Sequence, residues 1–542
     1  MHRKKKLVII GLDGGTYNVI NPLIQRGNLP FLSKFIKSGT YGTLKSTFPP
    51  VTAPAWTSFM TGKNPGNHGL FDFQKIDETG ERSLTYSTDC KSATMWEYLS
   101  NAGFRHILVN IPMTYPPRKI NGICIAGFPV PDNVNYVYPA DMFLNIKNKG
   151  YITDWTEYYE KNRWKSKIQI LKKVEGKRLS IFSDLLNEYP WDIAMVVISG
   201  TDHIAHFELQ KGNQQAVAEH YEFVDSLLNN LEEQKVFRDA ALLVMSDHGF
   251  VKTDYIFYLN TWLRSEGYLS YTVGLDKTYD KFAEERRKAV YGKKSGISGL
   301  LGALGLTRDN LIYFGKKTGL IRIERYLPHF MIKKIPSRDV SPIWEKTKAY
   351  MVSDLSKGIN INLAGREKYG IVSEKEFSLI RNDVMNKLRL LRDEEGGSIF
   401  SYVDTRENVY KGARTNQAAD IVLLPSDKFN VKPGRGNKSI QSKIIGARHD
   451  IKGIFMFRGQ EIKQGFRCDL SLEDLAPTIL HFMETGCPND MDGRVAFEIF
   501  ADGSESTKRP VNSIEALSTD YDQDFIQEQE SVSSKLKALG YL

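Results

Sequence analysis

Acidic and imidazole side chains stand beside short apolar runs at four places in the chain. They follow LVIIGL, lie in SGTDHIAH and in SDHG, and precede GIFMF; they are Asp13, Asp202, His206, Asp247, His248 and His449. Taken alone, an aspartate after a strand is more often a turn former or a helix N-cap. If the runs are strands of one sheet, the six side chains gather at one edge, where repulsion and desolvation require a compensating cation.

The types and spacing of these side chains indicate which metal ions they would bind. Three aspartates and three histidines supply mixed oxygen and nitrogen ligands, which suit Zn²⁺, Mn²⁺ or Fe rather than Ca²⁺. Asp202 and His206 are four residues apart, so they share a face if a helix begins there. Asp247 and His248 are a stronger signal, because the end of a buried strand rarely carries two adjacent ionisable groups.

The elements that must position these residues are visible in the apolar pattern. Six runs rich in β-branched residues predict buried parallel strands, at 7–12, 106–111, 192–199, 241–246, 420–425 and 453–459. Helix-like stretches alternate with them at 29–39, 92–103 and 210–237. This alternation predicts an α/β sandwich around a mostly parallel sheet, in which ligands bind at the carboxyl ends of the strands.

Length and composition exclude several classes of protein. The chain has 542 residues, of which 41% are hydrophobic and 25% charged, and this ordinary globular balance excludes a mostly disordered chain or a fibre. No apolar stretch reaches the roughly 18 residues of a membrane span. The start, MHRKKKLVIIGLDGG, predicts a first strand and not a signal peptide. The four cysteines form no CxxC pair, so we expect no disulfide framework and a cytoplasmic location.

The positive charge is concentrated in one segment. The net charge is +9, and residues 271–340 hold 15 Lys and Arg against 7 Asp and Glu. The segment is either a solvated insertion or a patch that attracts an anionic substrate, a nucleic acid or a membrane surface. We expect four parts: a first core part at 1–265, a basic cap at 266–345, a second core part at 346–505, and a polar tail with a terminal helix at 506–542.

The segment TFPPVTAPAWTSFMTGKNPGNHGL, residues 47–70, makes a family resemblance specific. It contains Thr52-x-Pro54-x-Trp56, followed by Thr61-Gly62. Together with the order of the aspartate and histidine motifs, it resembles the alkaline phosphatase superfamily. The chain looks closest to the type I phosphodiesterase/nucleotide pyrophosphatase branch and its microbial predicted phosphohydrolase or phosphomutase group. The resemblance implies an alkaline-phosphatase-like three-layer sandwich with a cap insertion.

The resemblance also implies a role for each site residue. Asp202, His206 and His449 would hold one divalent metal ion. A second ion would be held by Asp13, Asp247 and His248, with Thr52 as a further ligand. Zn²⁺ is the first expectation, with Mn²⁺ or Fe as alternatives. Thr52 would attack phosphorus and form a phospho-threonine intermediate.

Some positions depart from the family pattern. Related phosphodiesterases carry an asparagine three residues after the nucleophile, where this chain has Ala55, so the phosphate contact would come from elsewhere, for instance the backbone amide of Ala53. Thr52 and Trp56 stand where sulfatases have Cys or Ser and Arg, which argues against sulfatase chemistry. We expect His68 to be structural, and Asp450 is a candidate for orienting His449.

The first functional expectation is a two-metal hydrolase of phosphodiester or pyrophosphate bonds that acts on a phosphorylated small molecule, nucleotide-like or otherwise anionic. A phosphotransferase or phosphomutase, which passes the phosphoryl group to an alcohol, is the alternative. The remote alternative is a non-catalytic protein that binds anions or membranes. Nucleic acid is not expected as a partner. The basic segment is expected to form a lid over the site, with peripheral membrane contact as the alternative, and the oligomeric state stays open.

Overall fold

The computed structural model places most of the chain. It describes residues 5–76, 82–156, 158, 162, 165–237, 239–271, 342–351, 353, 355–434, 439–518, 533 and 535. The basic segment expected at 271–340 lies outside the described residues except for Tyr271, and so does nearly all of the terminal helix expected near the carboxyl end.

The strands are numbered in chain order. They are β1 (Lys6–Leu12), β2 (Thr40–Lys45), β3 (Gln74–Ile76), β4 (Arg82–Leu84), β5 (His106–Ile111), β6 (Gly122–Ala126), β7 (Val137–Tyr138), β8 (Ile193–Ile198), β9 (Ala240–Met245), β10 (Gly249–Tyr258), β11 (Ala349–Met351), β12 (Ile359–Ile361), β13 (Phe400–Thr405), β14 (Ile421–Pro425), β15 (Phe429–Lys432), β16 (Gln441–Asp450), β17 (Lys452–Arg458), β18 (Phe466–Arg467), β19 (Leu470–Ser471), β20 (Cys487–Pro488) and β21 (Ser513–Ile514).

The α-helices are numbered in the same way. They are α1 (Tyr17–Gln25), α2 (Pro30–Ser38), α3 (Thr52–Thr61), α4 (Pro65–His68), α5 (Met95–Asn101), α6 (Phe143–Asn148), α7 (Lys167–Glu188), α8 (Gly200–Glu208), α9 (Gln214–Glu232), α10 (Leu259–Ser265), α11 (Glu374–Leu390), α12 (Arg406–Val409), α13 (Leu475–Phe482) and α14 (Glu505–Lys508). Local signals fix several ends: Ser166 and Gln169 form a capping box at the start of α7, and Pro30 opens α2.

A ten-stranded sheet forms the centre of the molecule. Its order is β18-β2-β17-β9-β1-β8-β5-β6-β7, with β19 also pairing to β2. The five strands from β9 to β6 run parallel, so their carboxyl ends lie at one edge. Every residue of β5 and β8 is buried, as expected of parallel strands covered on both faces. The prediction of a mostly parallel sheet is confirmed.

Two of the six runs predicted as parallel strands form antiparallel strands instead. Strand β17, in the run 453–459, lies antiparallel between β9 and β2. Strand β14, in the run 420–425, belongs to a separate antiparallel sheet of four strands, ordered β11-β12-β14-β13. The prediction was wrong for both, because an apolar run shows that a strand is buried but not which way the strand runs.

Two groups of helices complete the sandwich. Helices α1, α2, α7, α8 and α9 pack on one another, and α7 contacts β5 and β8. Helices α3, α4, α5 and α13 form the second group. Trp56 of α3 packs so closely against β1 that a Cβ on Gly11 would come within 2.5 Å of its ring, so glycine is required there.

A second hydrophobic core lies outside the sandwich. It draws its buried residues from Phe257–Tyr271 and from 349–431, and α11 packs on the four-stranded sheet within it. A three-stranded sheet, ordered β15-β10-β16, links this region to the central sheet, because β17 follows β16 directly. The expected domain boundaries at 265 and 345 stay a prediction.

Two further expectations concern location. Among the described residues, no helix combines the length and the apolar character needed to cross a bilayer. The four cysteines are free thiols, and Cys90, Cys124 and Cys487 are buried. The cytoplasmic location stays a prediction.

Candidate active site

Three aspartates converge at the carboxyl ends of adjacent parallel strands. Asp13 follows β1, Asp202 comes shortly after β8, and Asp247 comes shortly after β9. All three are at least 96% buried. The turn after Asp13 needs Gly14, whose φ of +65° suits glycine and whose amide donates to Asp247 Oδ1 at 3.2 Å. The sheet topology therefore brings together residues that lie far apart in the sequence, such as Gly14 and Asp247, which are 233 positions apart.

Helix α8 supplies the aspartate–histidine pair. It begins directly after β8, and its first turn is held by Glu175, whose Oε1 accepts a hydrogen bond from the Gly200 amide at 2.8 Å. Asp202 lies in this first turn and His206 one turn later. His206 Nε2 is 3.4 Å from Asp202 Oδ1, so the predicted four-residue pairing on one helix face is confirmed.

His449 reaches the site from the three-stranded sheet, where it stands opposite Phe250 in the β10–β16 ladder. Its Nε2 is 3.3 Å from Asp202 Oδ1 and 2.9 Å from His206 Nε2. Its Nδ1 lies 3.0 Å from the carbonyl oxygen of Pro50, which can only accept, so Nδ1 carries the proton and Nε2 faces the aspartate. The carbonyl of Pro50 orients this ring, and a role for Asp450 in orienting it stays a prediction. Asp202, His206 and His449 form the histidine cluster.

The second cluster is richer in carboxylate. His248 Nε2 lies 3.3 Å from Asp247 Oδ2 and 3.6 Å from Asp13 Oδ1. His248 Nδ1 is 3.0 Å from the carbonyl oxygen of Gly249, which orients this ring in the same way. The indole of Trp56 donates to Asp13 Oδ2 at 3.4 Å. Asp13, Asp247 and His248 form the carboxylate cluster.

The two clusters are continuous. The rings of His248 and His449 stack with their centroids 3.8 Å apart and an angle of 16° between their planes. Ligand atoms of Asp202, His248 and His449 all lie within 4.8 Å of one another, and so do those of Asp13, Asp247 and His248. All six predicted ligand residues therefore face one small volume.

The electrostatics of this volume favour a cation. Asp13 Oδ1 and Asp247 Oδ2 are buried and make no hydrogen bond to any described residue. Burial, followed by the charges of Asp247 and Asp202, raises the pKa of Asp13 well above its usual value, and burial raises the pKa of Asp247 to about 7. Two such unbonded oxygens beside a neutral imidazole are the donor set of a divalent metal ion, so these residues fit the expected metals.

Two of the site histidines, His248 and His449, are held in the form that binds metal. Burial lowers the pKa of His248 and of His449 to about 4, so both rings are neutral at pH 7. Burial acts to raise the pKa of Asp202, but the imidazoles of His206 and His449 outweigh it and hold that pKa well below its usual value.

Thr52 is the first residue of α3 and is 97% buried. Its Oγ1 lies 3.3 Å from His248 Nε2. The first backbone hydrogen bond of this helix runs from the Ala55 amide to the Val51 carbonyl, so the amides of Thr52 and Ala53 precede the helical ladder. Amides at the start of a helix attract anions, so the expectation that the Ala53 amide contacts phosphate in place of the family asparagine stays a prediction.

Other polar residues near these motifs are structural. His68 Nε2 lies 2.9 Å from Ser58 Oγ, and its Nδ1 accepts from the Leu70 amide, so the ring ties α3 to the turn after α4. Asp492 accepts hydrogen bonds from Asn64 and Asn67. Both side chains serve the loop that follows the Thr52 helix, as the sequence predicted for His68.

Sequence reasoning missed three supports of the site: the Pro50 carbonyl, the Trp56 indole and the Glu175 carboxylate. Trp56 lay within the recognised motif, so its type was a usable signal. The Pro50 carbonyl and Glu175, which lies in the middle of a long helix, could not be distinguished from neighbouring residues by the sequence alone.

Comparison with known proteins places the chain in a family. The model of the type I phosphodiesterase / nucleotide pyrophosphatase family matches residues 7–452. The chain therefore belongs to this family. A curated relative, an ectonucleotide pyrophosphatase/phosphodiesterase of Caenorhabditis elegans, is 21% identical over 283 residues, which are 50% of this chain and 29% of the relative. The chain thus matches less than a third of the length of that protein.

Solved structures share the fold. Phosphonoacetate hydrolase from Sinorhizobium meliloti, in complex with phosphonoformate, has a TM-score of 0.53 and 13% identity, covering 87% of this chain and 94% of that one. An inactive variant of murine ectonucleotide pyrophosphatase/phosphodiesterase 5, in complex with AMP, has a TM-score of 0.52 and 12% identity, covering 92% and 100%. The expected alkaline-phosphatase-like fold is confirmed.

Proposed function

We propose that this protein is a metal-dependent hydrolase of phosphodiester or pyrophosphate bonds that works through a phospho-threonine at Thr52. One observation carries the proposal: the Thr52 hydroxyl stands at a helix start, 3.3 Å from His248, where two ligand clusters meet. A buried hydroxyl beside six candidate metal-ligand side chains, at the start of a helix, has the parts needed for nucleophilic phosphoryl transfer.

The chain's own residues divide the work. The carboxylate cluster and Thr52 would hold one divalent ion and the histidine cluster another, with Zn²⁺ the first expectation and Mn²⁺ or Fe the alternatives. Such ions, when bound, lower the pKa of a hydroxyl and neutralise charge on the attacking and leaving oxygens. Trp56 and the Pro50 carbonyl fix Asp13 and His449, and the amides of Thr52 and Ala53 orient the phosphoryl oxygens.

The reaction then proceeds in two displacements. The Thr52 oxygen loses its proton and bonds to phosphorus as the ester bond to the leaving oxygen breaks, and the leaving oxygen takes up a proton. Water next attacks the phospho-threonine, which restores the hydroxyl and releases the phosphoryl product. An alcohol in place of water would make the same site a phosphotransferase or phosphomutase.

The substrate class proposed is a phosphorylated or phosphonylated small molecule. This is supported by family membership and by the AMP, phosphonoformate and phosphonoacetate that related folds bind in solved structures.

An assay with an aryl phosphodiester tests the proposal. Hydrolysis is expected with bound zinc or manganese, to stop after treatment with a chelator, and to return when either metal is added back. Repeating it with excess acceptor alcohol and analysing products separates hydrolysis from transfer. A protein that takes up neither metal and cleaves no diester, monoester or phosphonate would contradict the proposal and favour a non-catalytic anion-binding protein.

A further inference from the structure

The first turn of helix α8, which carries Asp202, is capped by a side chain from another helix. Ser199 precedes α8, but its side chain makes no capping hydrogen bond to the helix. Instead, the Glu175 carboxylate of α7 accepts a hydrogen bond from the Gly200 amide at 2.8 Å. A carboxylate at this end satisfies an amide that has no partner within the helix and meets the positive end of the helix dipole. The place of Asp202 therefore depends on a residue of α7.

Arg178 lies one turn after Glu175 in α7 and holds the carboxylate in place. Its Nη1 is 3.6 Å from Glu175 Oε1 and donates to Ser199 Oγ at 2.8 Å. Its Nε and Nη2 donate to the carbonyls of Ile152 and Thr153 at 3.2 and 2.8 Å. Because a guanidinium is planar and rigid, these contacts fix the carboxylate and the start of α8 in one geometry.

The pair of Glu175 and Arg178 is buried at a cost. The two residues are 1% and 3% exposed. Burial raises the pKa of Glu175, and the charge of Arg178 opposes this shift. Glu175 Oε2 makes no hydrogen bond to any described residue. A buried ion pair adds little net stability compared with apolar residues of similar size, so the stability of the fold alone does not account for this pair.

The start of α8 is packed tightly between α7 and α9. A Cβ on Gly200 would lie 2.6 Å from His220 Nε2 and 3.1 Å from Glu175 Oε1. A shift of the carboxylate would therefore move the first turn of α8, in which Asp202 lies. Metal sites tolerate little movement, because ligand distances stay within about 0.2 Å of their usual values.

We propose that Glu175 and Arg178 are positioning residues that set the affinity of the histidine cluster for its metal ion, by fixing the first turn of α8 from which Asp202 reaches the ion. The inference rests on the proposed function, since it concerns the proposed metal site. It predicts that loss of the pair weakens binding of one ion only, because the acids of the carboxylate cluster follow β1 and β9 and not β8.

A second helix that is capped from outside offers a matched control. Asp225 of α9 is 1% exposed and accepts hydrogen bonds from the amides of Phe31 and Leu32, both at 2.9 Å. These amides belong to the first turn of α2, which carries no residue of the site. Loss of the Asp225 carboxylate should therefore cost stability in the same way and leave metal binding unchanged.

The metal affinity of the whole chain tests the inference. Zn²⁺ binding to the metal-free protein is measured by calorimetry, and the absorption spectrum of bound Co²⁺ reports the ligand geometry. Glu175→Ala should raise the Kd of one ion about tenfold or more, the usual effect of losing a group that orients a ligand, and should change the Co²⁺ spectrum. Glu175→Gln should keep most of the affinity, since an amide oxygen still accepts from Gly200. Asp225→Ala should change neither readout.

A His206→Ala background assigns the affected ion. This variant lacks a ligand of the histidine cluster, so the ion that it still binds belongs to the carboxylate cluster. Adding Glu175→Ala should leave the Kd of that ion unchanged. If Glu175→Ala does not fold, Arg178→Lys provides the test and should weaken the same ion severalfold, because an ammonium group cannot replace the guanidinium fork.

The outcomes separate the two proposals. An unchanged Kd in Glu175→Ala, an equal change in Asp225→Ala, or a change that persists in the His206→Ala background would overturn the inference. The proposed function would then stand, because the parent protein still binds its ions. A parent protein that binds no metal ion would overturn both.

Discussion

The carboxylate cluster and the histidine cluster stand side by side, yet they differ in charge and exposure. The carboxylate cluster has two aspartates and one histidine, and the side chains of Asp247 and His248 are 0% exposed. The histidine cluster has one aspartate and two histidines, and the His206 side chain is 14% exposed. One cluster is closed and rich in carboxylates, whereas the other is rich in imidazoles and lines a cavity that includes His206 and His449.

This difference indicates which cluster needs a bound cation for its stability. Two imidazoles lie 3.4 and 3.3 Å from Asp202 Oδ1 and lower the pKa of Asp202, whereas burial and the charges of neighbouring carboxylates raise the pKa of Asp13 and of Asp247. Buried like charges are costly until a cation compensates them. We therefore expect the carboxylate cluster to hold its ion tightly for stability, and the histidine cluster to exchange its ion more readily.

The largest expected effect belongs to the residue beside the carboxylate cluster. Thr52→Ala should lower kcat about a thousandfold, some 4 kcal/mol of barrier, because the covalent route is lost. Both clusters should still bind metal, which elemental analysis would check. Thr52→Ser should keep partial activity, since the oxygen remains. A Thr52→Ala variant with more than about a tenth of the original kcat would remove Thr52 from the mechanism.

Neutralising one aspartate in each cluster should change the free energy of unfolding differently. In the metal-free protein, Asp247→Asn should stabilise the fold by about 1–3 kcal/mol, because it relieves buried repulsion, whereas Asp202→Asn should not. In the metal-loaded protein, each variant should lose about one metal equivalent and some stability. Urea unfolding with and without chelator measures this, with exposed Asp254→Asn as the control. Equal effects of the two variants would remove the distinction between the clusters.

The two ions should leave at different rates. A colorimetric chelator should release one metal equivalent at least about tenfold faster than the other, a barrier difference of about 1.4 kcal/mol. His206→Ala should abolish the fast phase, because His206 belongs to the more exposed cluster. Asp247→Asn should abolish the slow phase instead. Single-phase release, or the reverse assignment, would show that exposure does not control exchange.

The smallest expected effect comes from His106, a histidine outside both clusters. Its titration contributes to the pH dependence of stability in the parent protein and in every variant above. Burial lowers the pKa of His106 to about 4, so the folded protein resists a proton that the unfolded chain accepts near pH 6.5. The stability that neutral His106 contributes is present above about pH 6.5 and is lost as the pH falls. Between about pH 7 and pH 5.5 the loss should be about 1 kcal/mol.

His106→Leu should remove this part of the pH dependence, since both ring nitrogens lack hydrogen bonds to described residues. Urea titrations of the metal-free variant and parent at several pH values would measure it. An unchanged slope in the variant would assign the acid sensitivity to other groups.

The sequence predicted those parts of the site whose geometry is set by residues close together in the chain. The Asp202–His206 pair and the Asp247–His248 dipeptide were predictable, because a helical turn and a strand end fix their geometry within a few residues. Parallel neighbours β9, β1 and β8 then bring the acids together, as the expected α/β fold requires.

The remaining features depend on long-range packing. His449 comes from a different sheet, and a backbone carbonyl of Pro50 fixes its ring. The direction of β17 and the separate sheet that contains β14 are set by pairing partners far along the chain. The cavity beside His206 and His449 is lined partly by residues of that second region, such as Leu423 and Asn430, and these residues stand in no recognisable motif.

The phospho-threonine at Thr52 is the central claim, and stereochemistry at phosphorus tests it most directly. The metal-loaded protein would hydrolyse a P-chiral aryl phosphorothioate diester in isotopically labelled water, and phosphorus NMR would establish the configuration of the product. Two successive in-line displacements, first by Thr52 and then by water, predict retention of configuration. Inversion would show a single direct attack by water and would contradict the account.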